Sequence, residues 1–202
     1  MDFGLDDAYS LETPEENKKL YAQWAATYES DFVANQGYNH PKVISEIFNS
    51  QIPIVNTVID IGSGTGLVGQ QLKKLRPEIV IDGIDISPEM LQEAAKKKIY
   101  RNLYERDLTQ SVNGTLAPYD ALITIGTFTH GHLGVEVLSN LFPLVRKDGY
   151  FVIAINAKYF EEQNFIGYLM ERKINLKYLD KVRVYDEQSP HHDSMNVVMI
   201  FQ

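Results

Sequence analysis

The sequence predicts an α/β fold: a mostly parallel sheet with helices on both faces and an antiparallel C-terminal hairpin at one edge. Three observations carry this. Apolar runs of strand length alternate with helical patterns three or four times between Val55 and Ile155. The stretch VIDIGSGTGLVG, Val58 to Gly69, packs four glycines into eight residues directly after one such run. Two further apolar runs flank the polar segment Glu187–Asp193, as a hairpin would.

Residues 1–13 read as a loose lead-in. A helix is expected from Pro14, with Thr13 as N-cap and proline at the first helical position. Leu20, Trp24, Tyr28 and Phe32 recur every fourth residue, giving it an aromatic face, and Asn35-Gln36-Gly37 ends it. A shorter helix is expected over Pro41–Phe48. After Pro53 comes a strand, Val55–Ile61, then the glycine loop and a helix to about Leu75. Ile79–Ile84 is a buried strand. Ser87-Pro88-Glu89 reads as N-cap, first helical residue and first-turn acid of a helix to about Lys98. A weaker strand lies near Ile99–Glu105, another strand over Tyr119–Ile125, a helix over Val135–Arg146 and a strand over Gly149–Ile155. The last third is expected to hold a helix over Lys158–Glu171 and two hairpin strands, Tyr178–Tyr185 and Val197–Phe201.

A length of 202 residues suits one domain with a full core. The net charge of −8 is poorly suited to gripping nucleic acid through phosphate contacts. The run Lys96-Lys97-Lys98 reads as a solvated helix end. Without cysteine, disulfides, thiolate metal sites and a cysteine nucleophile are excluded. The acidic N-terminus lacks the basic and apolar segments of a signal peptide, and no apolar run approaches the roughly 18 residues of a membrane helix. A soluble cytoplasmic protein without a membrane partner is the expectation; oligomeric state is not readable.

Glycines at the carboxyl end of a parallel strand let backbone approach a ligand, and the next helix aims its N-terminal amides at the same place. Gly64-x-Gly66-x-x-Gly69 matches the spacing for a dinucleotide pyrophosphate. Asp60, two residues before Gly62, argues otherwise: a carboxylate there repels phosphate and attracts a cationic amine or sulfonium. Asp85 closes the following strand, where a carboxylate can accept both hydroxyls of a ribose. A nicotinamide-binding oxidoreductase therefore stands as an alternative.

DIGSGTG followed by GIDISPEM resembles the class I S-adenosylmethionine (SAM)-dependent methyltransferases. Glu105-Arg106-Asp107-Leu108, Tyr119-Asp120-Ala121-Leu122-Ile123 and LVRKDGYFVIAI agree with it in order, so the likeness spans about residues 20–156. YAQWAATYESDF resembles the lid helix of small-molecule members. A weaker likeness is to the small Williams–Beuren methyltransferase-like group. The resemblance implies a Rossmann-like seven-stranded sheet in a single domain over 1–202: an N-terminal helical cover (1–50), a SAM-binding core (51–156), and a C-terminal helix with edge hairpin (157–202).

The resemblance further implies that Asp60 lies beneath the SAM amino group and that Gly62, Ser63, Gly64 and Gly66 line its methionine and ribose side. Asp85 would hold the ribose, Ile86 and Met90 would pack on adenine, and Asp107 and the Leu108 amide would bond the adenine edge. Gly126 would sit near the methionine tail, and Trp24 and Tyr28 would close over the cofactor. Trp24, Tyr28 and Met90 read equally as core. Lys147-Asp148-Gly149-Tyr150 departs from the family's common KPGG turn. No NPPY-like or DPPY-like sequence follows the fourth strand, which disfavours adenine amino-methylation of nucleic acid.

His130-x-His132 and His191-His192-Asp193 lack a third spaced ligand, so no metal is expected. An oxygen or amine acceptor carrying a proton calls for a base, and histidine titrates in the useful range. His130, or else His132, is the candidate. The expected function is methyl transfer from SAM to an oxygen or nitrogen of a small organic acceptor; a non-catalytic methyltransferase-like binding protein is a further alternative.

Overall fold

Alternate residues of the central strands face opposite sides, and both sides are apolar. Ile59, Ile61, Leu122, Ile153, Ile155, Met199 and Phe201 fill one core, and Val58, Ala121, Ile123, Val152, Ala154, Val198 and Ile200 fill the other. A strand buried on both faces has no polar period, which is why these runs are continuously hydrophobic. Full burial of each such aliphatic side chain contributes about 1.5–3 kcal/mol.

The computed structural model describes residues 14–112, 116, 118–130 and 132–202. Its strands are β1 (Thr57–Ile61), β2 (Val80–Asp85), β3 (Asn102–Glu105), β4 (Tyr119–Phe128), β5 (Val145–Asn156), β6 (Leu176–Arg183) and β7 (Met195–Phe201). They form one sheet in the order β3-β2-β1-β4-β5-β7-β6. Pairing is parallel from β3 to β5, and β7 runs antiparallel to both β5 and β6. This is the expected mixed sheet with a hairpin at one edge. The order reverses direction beside β1, so a crevice opens at the carboxyl ends of β1, β2 and β4.

The helices are α1 (Pro14–Trp24), α2 (His40–Gln51), α3 (Leu67–Leu75), α4 (Pro88–Lys96), α5 (Leu138–Leu141), α6 (Ala157–Glu162) and α7 (Phe165–Glu171). Ser87 caps α4 as its sequence suggests, its hydroxyl accepting from the Met90 amide at 3.3 Å. Thr13, the lead-in and the Phe32 side chain lie outside the described residues.

Four expectations need correction. The N-terminal helix is not continuous: α1 stops at Trp24, and a separate π-helical segment spans Tyr28–Ala34. The fourth-residue aromatic rhythm is local contact across that break, with Trp24 meeting Tyr28 edge-on at 5.1 Å. The helix expected over Val135–Arg146 is an α5 of four residues between two short 3₁₀ turns, and it ends at Leu144. Pro143 donates no amide hydrogen and cannot extend an α-helix there. The helix expected over Lys158–Glu171 is split into α6 and α7, because Asn164 takes a left-handed conformation (φ 48°) and caps α7 by accepting from the Gly167 amide. Lastly, β4 runs on to Phe128 with a register break between Ile125 and Phe128, where Gly126 adopts φ 72°. That bulge re-aims the chain at the edge of the crevice.

Among the described residues no helix is long and apolar enough to cross a membrane.

Candidate active site

The chain leaves β1 through Gly62 (φ 67°), Gly64 (φ 52°) and Gly66 (φ 90°), a backbone path other residues take only at a cost. A Cβ at Gly62 would lie 2.2 Å from Thr127 Oγ1, whose hydroxyl donates to the Ile61 carbonyl at 3.2 Å. A Cβ at Gly64 would meet nothing within 4 Å, because that position opens into the crevice. Gly66 caps α3 and faces inward, 2.9 Å from the Tyr100 ring measured from its absent Cβ.

Asp85 ends β2 across from this loop. Its Oδ2 accepts from the Gly64 amide at 2.8 Å and its Oδ1 from the Ser87 amide at 2.9 Å. Burial raises its pKa, opposed by the Ser87, Gly64 and Ile86 amides. The carboxylate thus fixes loop and helix start together while its side chain lines the cleft. Ile86 and Met90 line the same end, Met90 being 2% exposed. Asp107 and Leu108 follow β3: Asp107 Oδ1 accepts from the Thr109 amide (2.9 Å) and hydroxyl (2.7 Å), and Leu108 is buried.

Asp60 lies on β1 below the loop, fully buried. Its Oδ2 accepts from the Tyr100 hydroxyl at 2.6 Å, and its Oδ1 has no partner among the described residues. Burial pushes its pKa up to about 7, against the stabilising Tyr100 hydrogen bond. Trp24, Tyr28, Ser63 and Gly126 also line the cleft, as does His132. The cleft lining therefore gathers Trp24, Tyr28, Gly62, Ser63, Gly64, Asp85, Ile86, Met90, Asp107, Leu108, Gly126 and His132. Asp60 and Gly66 support it from below.

The two candidate histidines part company. His132 is half-buried, its Nδ1 3.2 Å from the His130 carbonyl and its buried Nε2 without a partner among the described residues. Burial lowers its pKa. His130 is 43% exposed, pairs through Nε2 with Glu162 at 2.6 Å, and lines an adjoining polar cavity with Lys158 and Asp193.

Sequence reasoning missed Tyr38, His40, Tyr100 and Tyr185. His40 is 2% exposed, with Nδ1 3.1 Å from the Tyr38 hydroxyl. Tyr185 pairs back to Tyr38 across an isolated antiparallel bridge. No motif marks these positions, because long-range folding alone brings them to the crevice. Buried polar atoms without partners among the described residues converge on the lining: Ser63 Oγ, Thr65 Oγ1, Thr129 Oγ1, and Nε2 of both His40 and His132. Buried polar groups are ordinarily paired, so this concentration marks a ligand site.

Residues 59–151 match a family profile described as a methyltransferase domain. Over 139 residues the chain is 26% identical to a carboxy-S-adenosyl-L-methionine synthase of Campylobacter curvus, covering 67% of this chain and 59% of that one. Over 74 residues it is 30% identical to a tRNA1(Val) (adenine(37)-N6)-methyltransferase of Yersinia enterocolitica, covering 33% and 30%. The chain thus spans between three tenths and three fifths of these curated relatives. Among solved structures, a TehB-like SAM-dependent methyltransferase from Corynebacterium glutamicum superposes with a TM-score of 0.65 at 18% identity, over 91% of this chain and 98% of that one.

Proposed function

We propose, from the methyltransferase-domain profile matched over residues 59–151 and the geometry of the cleft, that the chain is a class I SAM-dependent methyltransferase that transfers a methyl group from SAM to an oxygen or nitrogen of a small organic acceptor. The observation that carries this reading is Asp85, a carboxylate held by two backbone amides yet open to a cleft whose loop position Gly64 leaves room for a ligand. These residues fit the cofactor. Asp85 would hold the ribose hydroxyls, Ile86 and Met90 the adenine face, and Asp107 with the Leu108 amide its edge. Gly62, Ser63, Gly64 and Gly126 would flank the methionine part, with Asp60 and Gly66 beneath and Trp24 and Tyr28 above. When bound, SAM supplies an electrophilic methyl group on a sulfonium.

The chain's own work is then alignment and exclusion of water. Trp24 at 2% exposure and the rings beside it cover the cleft. Burial keeps the His132 imidazole neutral, a form that can accept a proton from an O–H or N–H acceptor. His132 is therefore favoured over His130, whose Nε2 is engaged by Glu162.

A dinucleotide is disfavoured by the buried Asp60 carboxylate under the loop. A tRNA acceptor is disfavoured by the net charge of −8 and by Thr124-Ile125-Gly126-Thr127, which carries no NPPY-like sequence at the end of β4. The test is calorimetric titration with S-adenosylhomocysteine (SAH) and NADH. SAH is expected to bind, NADH not, and Asp85→Ala to weaken SAH binding tenfold or more. Binding of NADH alone, or an unchanged SAH affinity in Asp85→Ala, would falsify the reading. A catalytically silent binding protein would take up SAH yet methylate no member of an acceptor panel followed by mass spectrometry.

A further inference from the structure

We infer that Tyr38 and His40 form the polar anchor for a flat, uncharged hydroxyaromatic acceptor; the inference rests on the methyltransferase reading above. The two residues line the same cleft as Asp85. The Tyr38 hydroxyl lies 3.7 Å from where a Cβ on Gly126 would be, at the carboxyl end of β4. Asp85 closes β2, and β1 separates those two strands. A cofactor held at Asp85 and along the glycine loop, with its methionine part beside Gly126, would leave the side of the cleft beyond Gly126, where Tyr38 stands, to the second substrate.

His40 is fixed as few histidines are. It opens α2 directly before Pro41 and is 2% exposed. Its Nδ1 is hydrogen-bonded with the Tyr38 hydroxyl at 3.1 Å, with the two rings edge-on at 5.7 Å. Its Nε2 is buried with no partner among the described residues although the side chain lines the cleft. Burial also holds the imidazole's pKa down to about 3, so the pair is uncharged.

The surroundings specify what the anchor holds. The Tyr185 ring lies 5.4 Å from that of Tyr38, and Ile125 and Val184 add apolar walls, a lining suited to a planar, apolar body. The one fixed positive charge among the described lining residues is Arg106, next to Asp107 after β3. An anionic acceptor at Tyr38 would be desolvated with no counter-ion beside it. A hydroxyl both donates and accepts, so it satisfies this pair whichever ring nitrogen of His40 carries the hydrogen. Tyr38 would touch the acceptor; His40 is a positioning residue acting through it.

The experiment measures binding of naphthol, methylnaphthalene and naphthoate to SAH-saturated protein by calorimetry. Naphthol is expected to bind at least tenfold tighter than methylnaphthalene, and naphthoate more weakly than naphthol. In Tyr38→Phe and His40→Leu the preference for the hydroxyl should vanish while SAH affinity is retained. His40→Asn, whose Oδ1 can accept from Tyr38 in place of Nδ1, should restore the preference, which a merely structural role for His40 would not produce. Equal binding of naphthol and methylnaphthalene, tighter binding of naphthoate, or an intact preference in Tyr38→Phe overturns the anchor while leaving SAH binding, and hence the methyltransferase reading, standing. Failure of SAH to bind the wild-type protein removes both.

Discussion

The Tyr100 hydroxyl donates to Asp60 Oδ2 at 2.6 Å beneath the glycine loop, joining the segment before β3 to the centre of β1. Both groups are shifted upward by burial, Asp60 to about 7 and Tyr100 well above its ordinary range. A carboxyl group with a higher pKa folded than unfolded binds more protons in the folded state. Stability from Asp60 is therefore greatest below about pH 4 and declines as pH rises toward 7. In urea unfolding between pH 4 and 8, Asp60→Asn should flatten this decline relative to wild type. Tyr100→Phe should cost about 1–3 kcal/mol, more at pH 8 than at pH 5, because it strands the charged carboxylate. Identical pH slopes in wild type and Asp60→Asn would refute the assignment.

Gly62 and Gly64 share a left-handed backbone but not an environment, so alanine should separate folding from binding. At Gly62 the new methyl would sit 2.2 Å from Thr127 Oγ1, and the β-branched threonine has little freedom to yield. Gly62→Ala should lose 2 kcal/mol or more, about 1–2 of it from the backbone alone. At Gly64 the methyl would meet open cleft. Gly64→Ala should pay only the backbone cost yet weaken SAH binding at least tenfold. Thermal melts and calorimetry on both variants check this, and equal SAH affinity in Gly64→Ala and wild type would contradict it.

The sheet was legible because strands buried on both faces read as unbroken apolar runs, and because Asp60, the glycines and Asp85 sit within one strand-loop-helix-strand unit. Boundaries failed where a single residue decides them. Pro143 shortens one helix, Asn164 splits another, and the Gly126 bulge extends β4 beyond Ile125. None of these changes the hydrophobic pattern from which an element is read. The acceptor end was invisible for a different reason. Tyr38 and Tyr185 are 147 positions apart and meet across an isolated bridge and a ring contact, and the Tyr38 hydroxyl is in turn the partner of His40. His130 and His132, two residues apart and alike in sequence, diverge because one turns out to Glu162 and the other in to the cleft.

Arg76, at the end of α3, holds the end of α2. Its Nη2 donates to the Asn49 and Ile52 carbonyls at 3.0 and 2.7 Å, Nη1 to the Pro53 carbonyl at 2.9 Å and Nε to Asn49 Oδ1 at 2.9 Å. The guanidinium also lies 5.2 Å over the Phe48 ring. These carbonyls sit at the C-terminal end of a helix, where no intrahelical donor remains. Arg76→Ala should cost about 2–3 kcal/mol in urea unfolding. Arg76→Lys should recover less than half of that, since an ammonium cannot span four acceptors in a plane. Full recovery by lysine would mean that charge at the helix end, and not the fork of donors, supplies the stability.

The aromatic cover is tied to the core by ion pairs at both ends of its helical part. Lys18 on α1 pairs with Glu105 at the end of β3 at 2.7 Å, and Glu29 in the π-helical segment pairs with Lys97 just past α4. Trp24 stands between these ties and is the only tryptophan in the chain, so its fluorescence reports whether the cover is seated. Exposed pairs contribute little each, but here they oppose the opening of the segment that carries Trp24 and Tyr28. Lys97→Ala should raise acrylamide quenching of Trp24 and weaken SAH binding about two- to fivefold. Added salt should weaken SAH binding to wild type more than to Lys97→Ala, because screening acts only on a pair that exists. The swap Glu29→Lys with Lys97→Glu should restore both readouts; if it leaves quenching high, the cover is seated by its rings alone and the ion pairs are incidental.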